Sequence, residues 1–163
     1  MKLAPVSILM AALMAAALSA TAVADGEEDD TLEWNWRTQP VEGASGRETD
    51  IVFSARIKPG WILYSSDFDA PEFGPRPAKI VVDPAAGHAA AGEPQAIGAA
   101  GRTDRNFAGE YRYTYFSGTA ELRQRVRHEQ GSGTVTGVIH GQTCFEESGL
   151  CTLFRQPFSV DVL

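Results

Sequence analysis

The stretch Asp50-Ile51-Val52-Phe53-Ser54-Ala55-Arg56-Ile57-Lys58-Pro59-Gly60 places Ile51, Phe53, Ala55 and Ile57 at every second position and then stops on a Pro-Gly pair. Successive side chains of a strand point to opposite faces, so these four share one face, and a period of two bounded by turn residues marks a half-buried strand. Other segments repeat the signal. Ile80 to Val82 is a short apolar run, Tyr111, Tyr113 and Tyr115 alternate with Arg112 and Thr114, and Ala120, Leu122 and Val126 lie among arginines. Gly131-Ser132-Gly133 predicts a turn before a strand over 134–140, and Phe158, Val160 and Val162 make one more alternating strand. No segment beyond the N-terminus carries a helical stripe. The predicted class is therefore all-β, two antiparallel sheets packed as a sandwich.

The N-terminus reads differently. Met1-Lys2 is a short positive start, residues 6–18 are an apolar run, and Ala22-Val23-Ala24 fits a small-x-small cleavage pattern, which together predict a signal peptide over residues 1–24. The run is short for a membrane helix and leads straight into the acidic Asp25-Gly26-Glu27-Glu28-Asp29-Asp30. Residues 25–33 are expected to form an acidic flexible leader and residues 34–163 one domain. Nothing later is long and apolar enough to span a bilayer, so the mature chain is expected to be periplasmic with no membrane span. Asp83 to Gly101, rich in Ala, Gly and Pro, is expected to be a long surface connection. The formal net charge is −7, becoming −8 once Lys2 leaves with the signal, which gives no basic footprint for nucleic acid.

Cys144 and Cys151 are the only cysteines, with Phe-Glu-Glu-Ser-Gly-Leu between them. In an exported chain such a pair closes a ring, either as a staple or as a redox centre. A ring of this size stabilises a fold by about 2 to 3 kcal/mol in the chain-entropy model, and spacing alone favours the staple, because exported disulfides are mostly structural. Exchange needs a thiolate. Glu146 and Glu147 oppose one, while the nearest cation, Arg155, lies beyond Cys151 and makes that sulfur the better point of first attack. His88, His128 and His140 are isolated, His88 within the Ala/Gly-rich connection, and no His, Cys and Asp spacing suggests a metal site. His140 with Cys144 would make a Cys-His nucleophile, although a strand histidine is usually a bystander. Tyr111, Tyr113 and Tyr115 are expected to support a sheet, Trp34 and Trp36 to share a strand face, and Trp61 to plug the end of the core. Arg123, Arg125 and Arg127 are expected to line an exposed, solvated edge.

Four segments then carry a resemblance. Gly60-Trp61-Ile62-Leu63-Tyr64-Ser65, Gly74-Pro75-Arg76-Pro77-Ala78-Lys79-Ile80, the stretch Phe107 to Gly118, and Gly137-Val138-Ile139-His140-Gly141-Gln142-Thr143-Cys144 with Cys151 together resemble the N-terminal periplasmic domain of the bacterial membrane thiol:disulfide interchange protein DsbD, in the same order over residues 34–163. The resemblance implies an immunoglobulin-like antiparallel sandwich with a redox-active Cys144–Cys151 pair. It implies an oxidoreductase component that relays reducing equivalents from a membrane thiol:disulfide transporter to periplasmic thioredoxin-like proteins, in a family linked to cytochrome c biogenesis. No cofactor beyond the disulfide, and no metal, is implied. An aromatic-tipped cap loop is also implied, with Phe107 in Asp104-Arg105-Asn106-Phe107-Ala108-Gly109 matching the cap ring and Tyr64 a ring near the pocket.

This chain departs from that pattern in two places: Cys151 is followed by Thr152-Leu153-Phe154 where the family has a prolyl stretch, and the loop between the cysteines is a residue longer. The best-known member continues into transmembrane and thioredoxin-like domains, whereas this sequence ends at Leu163, so the donor is expected to be a separate polypeptide. The reading from a different class is a non-catalytic immunoglobulin-like binding module with a structural disulfide.

Overall fold

The computed structural model of the chain describes residues 31–42, 47–84, 87–128 and 132–162. The expected signal peptide, residues 25–30 of the expected leader and Gly131 of the expected turn lie outside the described residues, while residues 31–33 of that leader are the buried Thr31 and the start of the first strand. Eleven strands follow one another: β1 (Leu32–Pro40), β2 (Glu48–Ile57), β3 (Trp61–Tyr64), β4 (Lys79–Val82), β5 (His88–Ala90), β6 (Gln95–Ala96), β7 (Ala100–Asn106), β8 (Gly109–Ser117), β9 (Thr119–His128), β10 (Gly133–Phe145) and β11 (Cys151–Val162). They form two antiparallel sheets. One runs β1-β2-β9-β5, with β6 also on β9; the other runs β11-β10-β3-β8-β7, with β4 also on β10. Packed face to face, they make the all-β sandwich that the alternation anticipates, of the immunoglobulin-like kind that the resemblance implies.

The period of two builds the core directly. Ile51, Phe53, Ala55 and Ile57 of β2 all point inward, none more than 4% exposed. They meet Leu63, Leu122, Val126, Ile139 and Phe158 from both sheets. Phe53 lies edge-on to Phe158 with ring centroids 4.8 Å apart, and burying a side chain of that size stabilises the fold by about 1.5 to 3 kcal/mol. Trp34 and Trp36 share one face of β1, reaching Phe154 and Phe158 at 5.8 and 6.3 Å. Trp36 Nε1 donates to the Ser159 carbonyl at 2.8 Å, tying β1 of one sheet to β11 of the other.

Three further sequence expectations change. Asp83 to Gly101 is not one long connection, because β5 and β6 pair along β9 and β7 begins at Ala100. The flank of β9 would otherwise leave its backbone donors and acceptors unpaired, and even short Ala-rich segments satisfy them. Beside these strands, the Ala91 N–H donates to the Arg125 carbonyl at 2.8 Å and the Ile97 N–H to that of Glu121 at 3.0 Å. With β9 thus interior to its sheet, Arg123, Arg125 and Arg127 do not line a free edge. Each pairs with an acid: Glu121 at 2.6 Å, Asp50 at 2.9 Å and Glu48 at 3.1 Å. Nor are His88 and His128 isolated, since β5–β9 pairing buries them together with Nδ1 atoms 3.3 Å apart.

Candidate functional site

The strand predicted over 134–140 continues to Phe145, and β11 starts at Cys151, so the two cysteines sit on strands at the neck of a hairpin. Gly149 adopts φ +69° in the connecting turn. The Phe145 N–H then donates to the Leu150 carbonyl at 2.8 Å. Cys144 and Cys151 are register partners with Cα atoms 4.0 Å apart, and they form a disulfide.

Alternation decides which way the disulfide faces. Thr143 points into the sandwich, where its hydroxyl lies 3.2 Å from that of Thr31. Cys144 therefore points out, onto the outer face of the six-stranded sheet. There it is 4% exposed, in a separate small cluster with Ile62, Tyr64 and Tyr113, against which Phe68, Tyr111 and Tyr115 pack. Cys151 is exposed. The disulfide thus offers one sulfur to solvent and rests the other on an aromatic wall.

Tyr64, identified from sequence, is part of that wall. Its ring centroid is 5.3 Å from that of Tyr113 and 6.3 Å from that of Phe68. Burial, reinforced by Tyr113 beside it, pushes the Tyr64 phenol up to about 12, so it is held neutral. Phe68 was not anticipated. The hydroxyls of Ser65 and Thr114 both donate to the Asp67 carboxylate, fixing the turn that aims Phe68 at Tyr64.

The loop between the cysteines is clamped from β2–β3. Lys58-Pro59-Gly60-Trp61 forms a turn closed by the Trp61 N–H to Lys58 carbonyl bond at 3.0 Å, with Gly60 at φ +83° as a type II turn requires. The Gly60 carbonyl accepts from the Glu146 N–H at 2.9 Å, and Trp61 meets Phe145 at 5.7 Å. Folding also supplies the cation that the local sequence lacks. Arg102, opposite Tyr113 in the β7–β8 register, places Nη2 3.1 Å from Glu146 Oε1 and 2.9 Å from the Tyr115 hydroxyl. Its guanidinium lies 4.4 Å above the Tyr115 ring. One of the two glutamates beside the cysteines is thereby neutralised. Arg102 escapes sequence reasoning because only the hairpin register brings it to a residue 44 positions away.

Phe107 stands at the tip of the β7–β8 hairpin, 81% exposed. Its ring lies 4.4 Å from that of Phe73, and the Asn106 amide beside it donates to the Phe73 carbonyl. His140 also faces outward but is two cross-strand pairs from the disulfide, about 13 Å at the usual strand rise, so it does not reach Cys144. Instead it lies between Lys79 and Arg155 in register. Among the described residues, no helix is long and apolar enough to cross a membrane.

No family model and no curated protein matches the sequence. Solved structures do resemble it. The N-terminal periplasmic domain of ScsB from Proteus mirabilis superposes with a TM-score of 0.54 at 14% identity, over 83% of this chain and 47% of that one. The Neisseria meningitidis DsbD N-terminal domain in the reduced form gives a TM-score of 0.44 at 22% identity, over 71% of this chain and 77% of that one. The match to the ScsB domain establishes a shared sandwich fold, and this chain spans about half the length of that structure.

Proposed function

We propose that this protein is a thiol-disulfide interchange module of the periplasm, with Cys144 and Cys151 as its redox pair. The observation that carries the reading is the place of the disulfide. A staple is most useful where it joins segments that the fold leaves free, whereas this bond links two residues already held as register partners and lies outside the sandwich core. It is half open to solvent on a wall of aromatic rings, which suits a sulfur that must be reached. The fold shared with the periplasmic domain of ScsB, and the ordered motifs that resemble DsbD, support the same reading.

In the reducing half-reaction, a partner thiolate attacks the exposed Cys151 Sγ. The Cys144–Cys151 bond breaks, a mixed disulfide forms at Cys151, and Cys144 leaves as a thiolate that takes up a proton. The partner's second thiolate then attacks the mixed disulfide and releases Cys151. Two electrons and two protons have passed from a dithiol partner to the pair, and reversal toward a thioredoxin-like acceptor returns them. Arg102 on Glu146 lowers the negative charge that would resist formation of each thiolate. Tyr64 forms the wall behind Cys144, and Phe107, whose ring rests on Phe73 and leaves Cys151 exposed here, is the cap ring that in this reading closes over the pair to restrict access by unintended thiols. A membrane thiol:disulfide transporter is the donor in this reading.

The deciding experiment is the reduction potential of the pair, measured on the mature chain equilibrated in graded dithiol buffers with trapping of free thiols. A potential of roughly −120 to −270 mV is expected; a value below about −300 mV would mark a structural staple and a binding module instead. For the cap, Phe107→Ala should speed exchange with glutathione, and an unchanged rate removes that role from Phe107.

A further inference from the structure

Beyond the disulfide, the same outer sheet face carries a groove of about 710 Å³. Its floor is Val138 and His140 of β10, one wall is Leu153 and Arg155 of β11, and the other is β4 with the loop before it. The backbone N–H of Arg76 in that loop donates to Gln142 Oε1 at 2.9 Å, pinning the loop to β10. The register makes groove and disulfide one continuous path. After Cys144–Cys151 comes Gln142–Leu153, then His140 between Lys79 and Arg155, then Val138 between Val81 and Pro157.

The path has a chemical pattern. Val81 and Leu153 are 54% and 60% exposed, so apolar rows flank a cationic one. Arg76, Lys79 and Arg155 line the groove, and no acidic residue is part of its lining, although Lys79 also borders a neighbouring cavity that holds Asp67, Asp69 and Glu93. Among the described residues none of the three is in an ion pair, a state they share with Arg37, Arg47, Lys58, Arg105 and Arg112, and what sets them apart is that they line one groove. Unpaired cations gathered on one face are conspicuous in a chain of net charge −7. His140 registers their field: burial first, then Lys79 and Arg155, push its pKa down.

We propose that this groove docks an extended acidic and apolar peptide segment of the protein whose thiols exchange with Cys144–Cys151, its carboxylates on Lys79 and Arg155 and its apolar side chains against Val81 and Leu153. The identity of the occupant as an exchange partner rests on the function proposed above. An extended peptide repeats its facing side chains every two residues, about 7 Å, which is the spacing of successive rows on the sheet. Opposite charge speeds the encounter and sets the register, while the apolar contacts hold the segment.

Fluorescence anisotropy on the oxidised mature chain tests this with a redox-inert probe: a labelled Ser-x-Leu-x-Glu-x-Leu peptide, the serine standing in for the partner's cysteine. It should bind more weakly as salt rises, and its Gln-for-Glu counterpart about tenfold more weakly. Lys79→Glu with Arg155→Glu should weaken binding by about tenfold or more. Leu153→Ser should also weaken it, and Arg56→Glu on the opposite sheet should leave it unchanged. No binding, equal binding of the Glu and Gln peptides, or indifference to the double charge reversal overturns the proposal. So does displacement by polyphosphate together with indifference to Leu153→Ser, which would make the groove a plain anion site. Because the probe has no thiol, these outcomes are independent of redox activity. The reduction potential of the same proteins judges the interchange reading separately.

Discussion

At the scale of single residues, the disulfide is set apart by its asymmetry. Cys144 is 4% exposed against Ile62, Tyr64 and Tyr113 while Cys151 faces solvent, so in the proposed exchange an incoming thiolate meets Cys151 and expels Cys144. The wall has its own signature. Tyr64 is an acid whose folded pKa, about 12, lies above its ordinary 10. Its contribution to stability is therefore fully present below pH 10 and is lost as pH rises toward 12, because the unfolded chain ionises first. In alkaline titration Tyr64 should ionise near pH 12, burial and Asp104 also delaying Tyr111, and Tyr64→Phe should remove the step near pH 12 and flatten the fall in stability across the window. A step near pH 12 that survives Tyr64→Phe would place that phenol elsewhere. Tyr64 was legible from its sequence motif. Arg102 and Phe68 were not, because Arg102 reaches the site through strand register and Phe68 through a turn held by the Asp67 carboxylate, neither of which a local pattern encodes.

At the scale of elements, the Pro59-Gly60 turn does more than join β2 to β3. Through the Gly60 carbonyl it holds the backbone of Glu146, and the Phe145 ring lies so close that a Cβ on Gly60 would meet its Cε2 at 2.5 Å. Gly60 also needs φ +83°, so Gly60→Ala combines backbone strain with overpacking. Gly98 has a similar φ of +78° but open space around it, which isolates the backbone contribution. In urea denaturation Gly98→Ala should cost about 1 kcal/mol and Gly60→Ala about 2 to 4 kcal/mol. Equal costs would mean that Phe145 yields freely and that the turn does not brace the cysteine hairpin. The short strands β5 and β6 make a related point. Composition predicts a connection there, and only the unpaired flank of β9 turns it into sheet.

At the scale of the whole molecule, the sandwich has a continuous core that leaves the disulfide outside it. Closing an eight-residue ring contributes about 2.5 kcal/mol in the chain-entropy model. Neither the core, the Phe145–Leu150 bond nor the Gly60–Glu146 bond includes a sulfur atom, so opening the ring breaks none of them directly. The reduced protein should keep its strand signature in far-UV circular dichroism and unfold cooperatively in urea, with stability lowered by about 2 to 3 kcal/mol. Loss of the cooperative transition on reduction would make the bond essential to the fold and count against interchange. The amino-acid sequence by itself determined the all-β class, the shared faces of β1 and β2 and the cysteine pair, because period-two alternation and turn residues act locally, while Tyr64 beside the pair was implied by the family resemblance alone. Only the tertiary structure decided that Cys144 faces outward and is covered while Cys151 is open, that Arg102 neutralises Glu146, and that Lys79, His140 and Arg155 form one row. Those facts depend on strand register, and register is settled by which faces the assembled sheets bury together.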